Sequence, residues 1–292
     1  MREVFCDWLD VTYAKGEALD GVRSFLSEFC DEVEWSREDS TQYAFRHGVE
    51  TGSVRIERSR TVERVSASGA SLARIRAIGV LGEYLGLLGD APHNVTRLDA
   101  TCDVPTVNPG RVIRSHYRAT RDGLAFGRKA LKTSKLWSPG IDGIDTGTVW
   151  HGYGSDAKVK AKVYDKGHQM LERYAAVVPP AVRYELTFRR EVGASLRDAY
   201  QPAPIFWHHA SPLGLKRPSG VPEWSPGAVG CVFPRREAPT AFERALRAVE
   251  RLPLLDLARL AREVGPEGVA VIQRQLGKRL QQILDEAPED GT

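Results

Sequence analysis

"AKVKAKVYDK" (157–166) is the stretch on which the reading of this chain turns. Basic and apolar residues alternate through it, and successive side chains of a strand point to opposite faces. Val159, Ala161 and Val163 fall on one face, and Lys158, Lys160, Lys162, Tyr164 and Lys166 fall on the other. A helix would scatter them round its circumference, and the β-branched valines favour a strand. Lysine is scarce elsewhere: the chain has ten lysines against thirty-one arginines, and four of the ten lie here. Two readings stay open. Lysines guard an exposed edge strand against pairing with another chain, and they equally make a phosphate-binding face with a tyrosine at its centre.

Two further segments alternate in the same way. In "RLDATCD" (97–103), Arg97, Asp99, Thr101 and Asp103 oppose Leu98, Ala100 and Cys102. In "RYELTFR" (183–189), Arg183, Glu185, Thr187 and Arg189 oppose Tyr184, Leu186 and Phe188. Half-solvated antiparallel sheets alternate too, and that accounts for any one of these strands alone. Together they carry the ingredients of one reaction. If the three share a sheet, Asp99, Glu185 and Tyr164 meet on an open surface edged by lysines and arginines.

The chain around them is that of a globular protein: 292 residues, 42% hydrophobic, 27% charged, net charge +3. So mild a charge makes nucleic-acid affinity a matter of local patches. No run of eighteen apolar residues occurs, and "MREVFCDWLDVTY" has acids where a signal peptide has its apolar region. A cytoplasmic protein with no membrane contact is expected. Cys6, Cys30, Cys102 and Cys231 form no CxxC pair and read as reduced thiols.

The order of elements predicts an α+β fold of two pseudo-repeated lobes, 1–105 and 106–201, whose mainly antiparallel sheets form a DNA-binding saddle. Strands are expected at 4–13, 40–47, 52–58, 61–67, 94–104, 146–153, 157–165 and 181–190. Helices are expected at 18–30, 109–120 and 191–200, with one long helix over 68–89. Residues 202–238, rich in Pro, Gly and Trp, read as an irregular extension, and 239–292 as a helical C-terminal segment.

Metal-assisted phosphoryl transfer to tyrosine is the reaction these residue types suit. Two or three carboxylates on such a surface match a hard divalent cation, Mg²⁺ or Mn²⁺. A phenol is a weak nucleophile at neutral pH, and neighbouring ammonium groups lower its pKa while holding an anionic substrate.

"NVTRLDATCDVP" (94–105), "TVWHGYGSDAKVKAKVYDKG" (148–167) and "VRYELTFRR" (182–190) resemble, in order and spacing, the signature of the Rep_trans superfamily of rolling-circle replication initiators. That signature runs roughly T-R-(I/L)-D-x-x-x-D, Y-x-G-S-R-x-S, R-(I/V)-Y-D-K and R-x-E-(L/I). The superfamily serves filamentous phages and plasmids and includes related conjugative relaxases. "FCDWLDVTY" and "SASGASLARIRAIG" are similar to the filamentous-phage branch. The resemblance implies a metal-dependent nicking-closing endonuclease. In it Tyr164 attacks the backbone at the origin, keeps the 5′-phosphate and frees a 3′-OH. Asp99 and Glu185 match its acids and would be metal ligands, with Asp103 as the third and Asp7 and His151 as outside candidates. Lys158, Lys160, Lys162, Lys166, Arg97, Arg183 and Arg189 would contact DNA. Origin DNA, duplex and exposed single strand, is the implied partner, with a host helicase and a homodimer as further expectations. Lys162 stands where the family often has arginine, and Asp156 stands at the arginine of G-S-R-x-S. The adjacent His208 and His209 do not make an HxH motif.

Tyr153 is the rival nucleophile, although its flanking glycines suggest a turn. Asp165 faces away from Tyr164 and reads as a cap or salt-bridge partner. His151 and His168 could assist proton transfer, and Trp137, Trp150 and Trp207 could stack on bases or fill the core. The competing class is a DNA- or RNA-binding protein without catalysis, its acids engaged only in salt bridges. A relaxase of a mobile element is the nearest rival among enzymes.

Overall fold

The alternating strand at 157–166 takes its place eighth in a row of ten. The computed structural model describes residues 3–15, 19–37, 40–121, 134–136, 147–152 and 157–226. Its strands are β1 (Val4–Ala14), β2 (Glu32–Arg37), β3 (Ser40–His47), β4 (Glu50–Arg58) and β5 (Val62–Ser68), then β6 (His93–Pro105), β7 (Ser134–Leu136), β8 (Thr148–His151), β9 (Val159–Asp165) and β10 (Ala181–Arg189). They form one sheet in the order β2-β3-β4-β5-β1-β6-β10-β9-β8-β7, antiparallel throughout. The fold is α+β. β1–β5 occupy one half and β6–β10 the other, joined where β1 pairs with β6.

One face of the sheet is apolar, with Leu9, Val11, Ile56, Leu98, Leu186 and Phe188 fully buried. Helices complete this core: α1 (Asp20–Phe29), α2 (Gly69–Ala77), α3 (Leu81–Gly89), α4 (Pro109–Arg121), α6 (Leu196–Tyr200) and α7 (Ala203–His209). Phe25 of α1 stacks on Tyr84 of α3 at 5.7 Å, and His116 Nε2 of α4 lies 2.9 Å from the Tyr184 hydroxyl. At roughly 25 cal/mol per Å² of apolar surface, this layer is the main source of stability. No described helix is long and apolar enough to cross a membrane.

The helix expected over 68–89 is two helices. Gly79 breaks it at φ +80°, a left-handed turn that glycine adopts freely, and the amides of Ile78, Gly79 and Val80 turn back to the carbonyls of Arg74, Arg76 and Ile75. β9 ends at Asp165, as expected, so Lys166 does not extend its face. The Asp165 carboxylate accepts from the His168 amide at 3.0 Å and caps α5 (Lys166–Tyr174), a helix the alternation did not foretell. Residues 202–226 are less irregular than their Pro and Gly content suggests, since α7 buries Ile205, Phe206 and Trp207. The helical pattern of 239–292 lies outside the described residues, as do Tyr153, Asp156, Trp137 and Cys231.

Candidate nucleic-acid site

Cross-strand register turns the polar face of the second half into a lattice, because directly paired residues share a face. One row reads Tyr164–Arg183–Asp103 across β9, β10 and β6. The next reads Trp150–Lys162–Glu185–Thr101–Phe5, from β8 to β1. A third reads Lys160–Thr187–Asp99–Trp8. Tyr164, Glu185 and Asp99 therefore do lie on one face of one sheet.

They are not on an open surface. Asp99 is 3% exposed, Glu185 5% and Tyr164 8%. Aromatic side chains roof the cations beside them: Arg97 lies 4.8 Å from the Trp8 ring, Arg183 5.2 Å from Phe5 and Lys162 4.8 Å from Trp150. A cleft of about 720 Å³ opens over the lattice, lined by Asp7, Asp99, Glu185, Tyr164, Arg183 and Lys162 among others. Its walls come from α5 and from the turn between β3 and β4. Across it Lys166 Nζ meets Glu50 Oε1 at 2.9 Å, tying the two halves together.

Each acid has a basic partner. Arg97 Nε donates to Asp99 Oδ1 at 3.0 Å, and Lys162 Nζ to Glu185 Oε1 at 2.5 Å. Arg183 forks onto both oxygens of Asp103 at 2.6 and 2.7 Å. Asp103 does not line the cleft. Asp7 does: β1 bulges between Cys6 and Trp8, where register skips Asp7, and such bulges re-aim a side chain. A side chain at Gly69 would strike the Asp7 carboxylate, so glycine there keeps it in place.

Burial pushes the Asp99 carboxyl up to about 6, with Arg97 opposing and the Glu185 charge adding to it. Asp7 is raised for the same reasons, burial first and Glu185 next among the raising causes, against Arg183. Burial also raises the Tyr164 phenol well above its usual value; Arg183 works against this, and Glu185 and Asp7 reinforce it. The lysines are not what tunes the phenol. The cation beside it is Arg183, and the phenol donates to Glu185 Oε2 at 3.4 Å.

Two hard-oxygen carboxylates, Asp99 and Glu185, fit Mg²⁺ or Mn²⁺ in chemistry, but among the described residues no group of three His, Cys, Asp or Glu side chains converges to hold a metal ion. Arg183 holds both oxygens of Asp103, as Arg97 and Lys162 hold Asp99 and Glu185, and Asp103 stands outside the lining of the cleft. His151 pairs with Ala161 and so belongs to the apolar face, where burial lowers it to about 4. His168 lies 2.7 Å from Glu172, and His208 and His209 pack on Trp224. Lys166 begins α5 instead of extending the lysine face, and Trp207 is core. The bulged Asp7 and the arginine next to Tyr164 are what alternation undervalued. A bulge leaves no sequence mark, and an arginine paired across a strand is visible only once the register is known.

No protein-family model and no curated protein matches the sequence. Among solved structures, the chain is similar to a rolling circle replication initiator protein from Geobacillus stearothermophilus, with TM-score 0.51 and 18% identity over 73% of this chain and 85% of that one. A match to Methanococcus jannaschii TBP, with TM-score 0.27 and 14% identity over 73% of this chain and 99% of that one, is too loose to bear on the site. The first likeness concerns the fold.

Proposed function

We propose that this chain initiates rolling-circle replication by cutting one strand of origin DNA with Tyr164 and later rejoining it. The observation that carries the reading is the meeting of Tyr164 with Arg183, its partner on β10, and with Glu185, diagonal to it on the same strand, inside a cleft. The phenol oxygen attacks the scissile phosphorus, an O–P bond forms, and the bond to the 3′-oxygen breaks. The 5′-phosphate stays on the tyrosine, and the 3′-oxygen leaves and takes a proton from water to become the hydroxyl; rejoining is the reverse.

Because the phenol is held protonated, its proton needs an acceptor, and Glu185 Oε2 is the carboxylate oxygen it already addresses. Arg183, against the phenol and Asp7, is the cation placed to offset charge gathering on the phosphoryl oxygens. Asp99 and Glu185 would hold the divalent cation, which when bound polarises the phosphodiester. Asp7, on the bulge of β1, also lines the cleft.

The ion pairs Arg97–Asp99 and Lys162–Glu185 favour a second reading, a binding protein whose acids are merely neutralised. Supercoiled origin plasmid separates the two. The wild type with Mg²⁺ should relax it and leave an adduct on Tyr164 that survives denaturant, and Tyr164→Phe should bind without doing either. An intact plasmid, or an adduct mapped to Tyr153, sinks the Tyr164 assignment.

A further inference from the structure

The lattice ends, away from the phenol, in a corner of different character. The Arg189 amide donates to the Lys158 carbonyl at 2.9 Å, which sets Lys158 opposite Arg189, and Arg189 in turn pairs with Arg97. Lys160 sits one row nearer the phenol, opposite Thr187. Three cations thus stand side by side on β9, β10 and β6 with a fourth behind them. Like charges directly opposite one another destabilise a sheet.

Nothing among the described residues relieves this crowding. Arg97 is engaged with Asp99, while Lys158, Lys160 and Arg189 make no ion pair with a described residue. The acids of the neighbouring rows, Asp99, Glu185 and Asp103, already have basic partners. Partial burial, with Arg189 and Arg97 adding to it, lowers the Lys160 ammonium from its usual value. An anion bound over the corner would remove that repulsion. The corner lies six residues along β9 from Tyr164, about 20 Å at about 3.4 Å per residue. Between them the indoles of Trp150 and Trp8 lie beside Lys162 and Arg97.

We propose that Lys158, Lys160 and Arg189 bind backbone phosphates of single-stranded DNA that runs along β9 and β10 from Tyr164, several nucleotides from the bond being cut. Cations tracking the charge and indoles placed between them are the pattern suited to a flexible single strand. The inference rests on the nuclease reading of Tyr164, which fixes where the strand is cut.

The test compares the full-length wild type with Lys158→Gln/Arg189→Gln, two exposed positions whose replacement removes the like-charge contact and should not lower the melting temperature. Binding of oligo-dT is titrated with salt, alongside a duplex of equal length, and adduct formation is scored separately on an origin strand. Loss of two phosphate contacts should lower the single-strand salt slope by about 1.4, at about 0.7 per contact. The duplex slope should move less. An unchanged single-strand slope, or an equal fall on duplex, overturns the corner even if Tyr164 forms its adduct. A reduced single-strand slope without any adduct upholds the corner as a strand track and overturns the nuclease reading instead.

Discussion

In the first half of the sheet Asp10 accepts a hydrogen bond from the indole of Trp8, two residues back, at 2.7 Å; in the second half Asp99 accepts one from Arg97, also two residues back, at 3.0 Å. The match is a consequence of register. Leu9 faces Leu98, with Trp8 opposite Asp99 and Asp10 opposite Arg97, so a local two-fold axis carries one strand onto the other. The same operation takes Arg64 to Glu185, Glu57 to Lys162 and Arg55 to Lys160. Glu57 and Arg64 approach to 3.9 Å as Lys162 and Glu185 do at 2.5 Å, with the signs exchanged. That exchange is the lesson. With Arg64 beside Asp10, the first half has a cation at the position where the second half has the acid Glu185. In the turn after β4 it has Ser59 where the second half has Tyr164. One architecture therefore carries a mosaic of ion pairs on one side and the materials for phosphoryl transfer on the other.

Matched substitutions at equivalent positions test that difference, and the largest effect is on activity. Glu185→Ala should abolish nicking of supercoiled plasmid, a loss of at least about a hundredfold for removal of a proton acceptor. Arg64→Ala should nick within about twofold of wild type under the same assay. Equal losses would mean that the halves share the work and that the asymmetry is misread.

Stability should divide them next. Arg183→Ala removes a buried guanidinium that holds the half-exposed Asp103 and lies beside Asp7, and should cost about 1–3 kcal/mol. Its counterpart Val62, 39% exposed, should cost about 1 kcal/mol or less as alanine. Denaturant titration reads both, and similar costs would argue that Arg183 is not structurally buried.

Dependence on pH should be smaller but diagnostic. A carboxyl raised from 3.8 to about 6 on folding contributes stability that is fully present below about pH 4 and is lost as pH rises through about 6. Asp99→Asn should flatten that limb of the melting-temperature profile, whereas Asp10→Asn should leave it in place. If Asp99 takes part in cutting as its ionised form, wild-type nicking should rise over the same interval.

Least of all should depend on the tie between the halves. Glu50→Gln removes the charge that Lys166 meets across the cleft and should cost about 0.5 kcal/mol, vanishing at high salt. A cost that persists in high salt would make this contact part of the core of the site.

The period of two in residues 97–103, 157–165 and 183–189 was enough to assign the strands, their buried faces and the polar set Asp99, Glu185 and Tyr164, because side-chain direction in a strand follows from covalent geometry alone. Asp165 as a cap was legible for a similar reason, its carboxylate reaching an amide three residues on. What the sequence could not decide was who stands beside whom. Neighbours along a sheet are set by register between residues as far apart as Val4 and Cys102, and by bulges such as the one that turns Asp7 inward. Only the folded chain puts Arg183 next to Tyr164, gives Asp103 to Arg183 and leaves Lys158, Lys160 and Arg189 without an acid among the described residues. Whether a charged side chain is an ion-pair partner or a free ligand-binding group depends on those distances, and local sequence does not contain them.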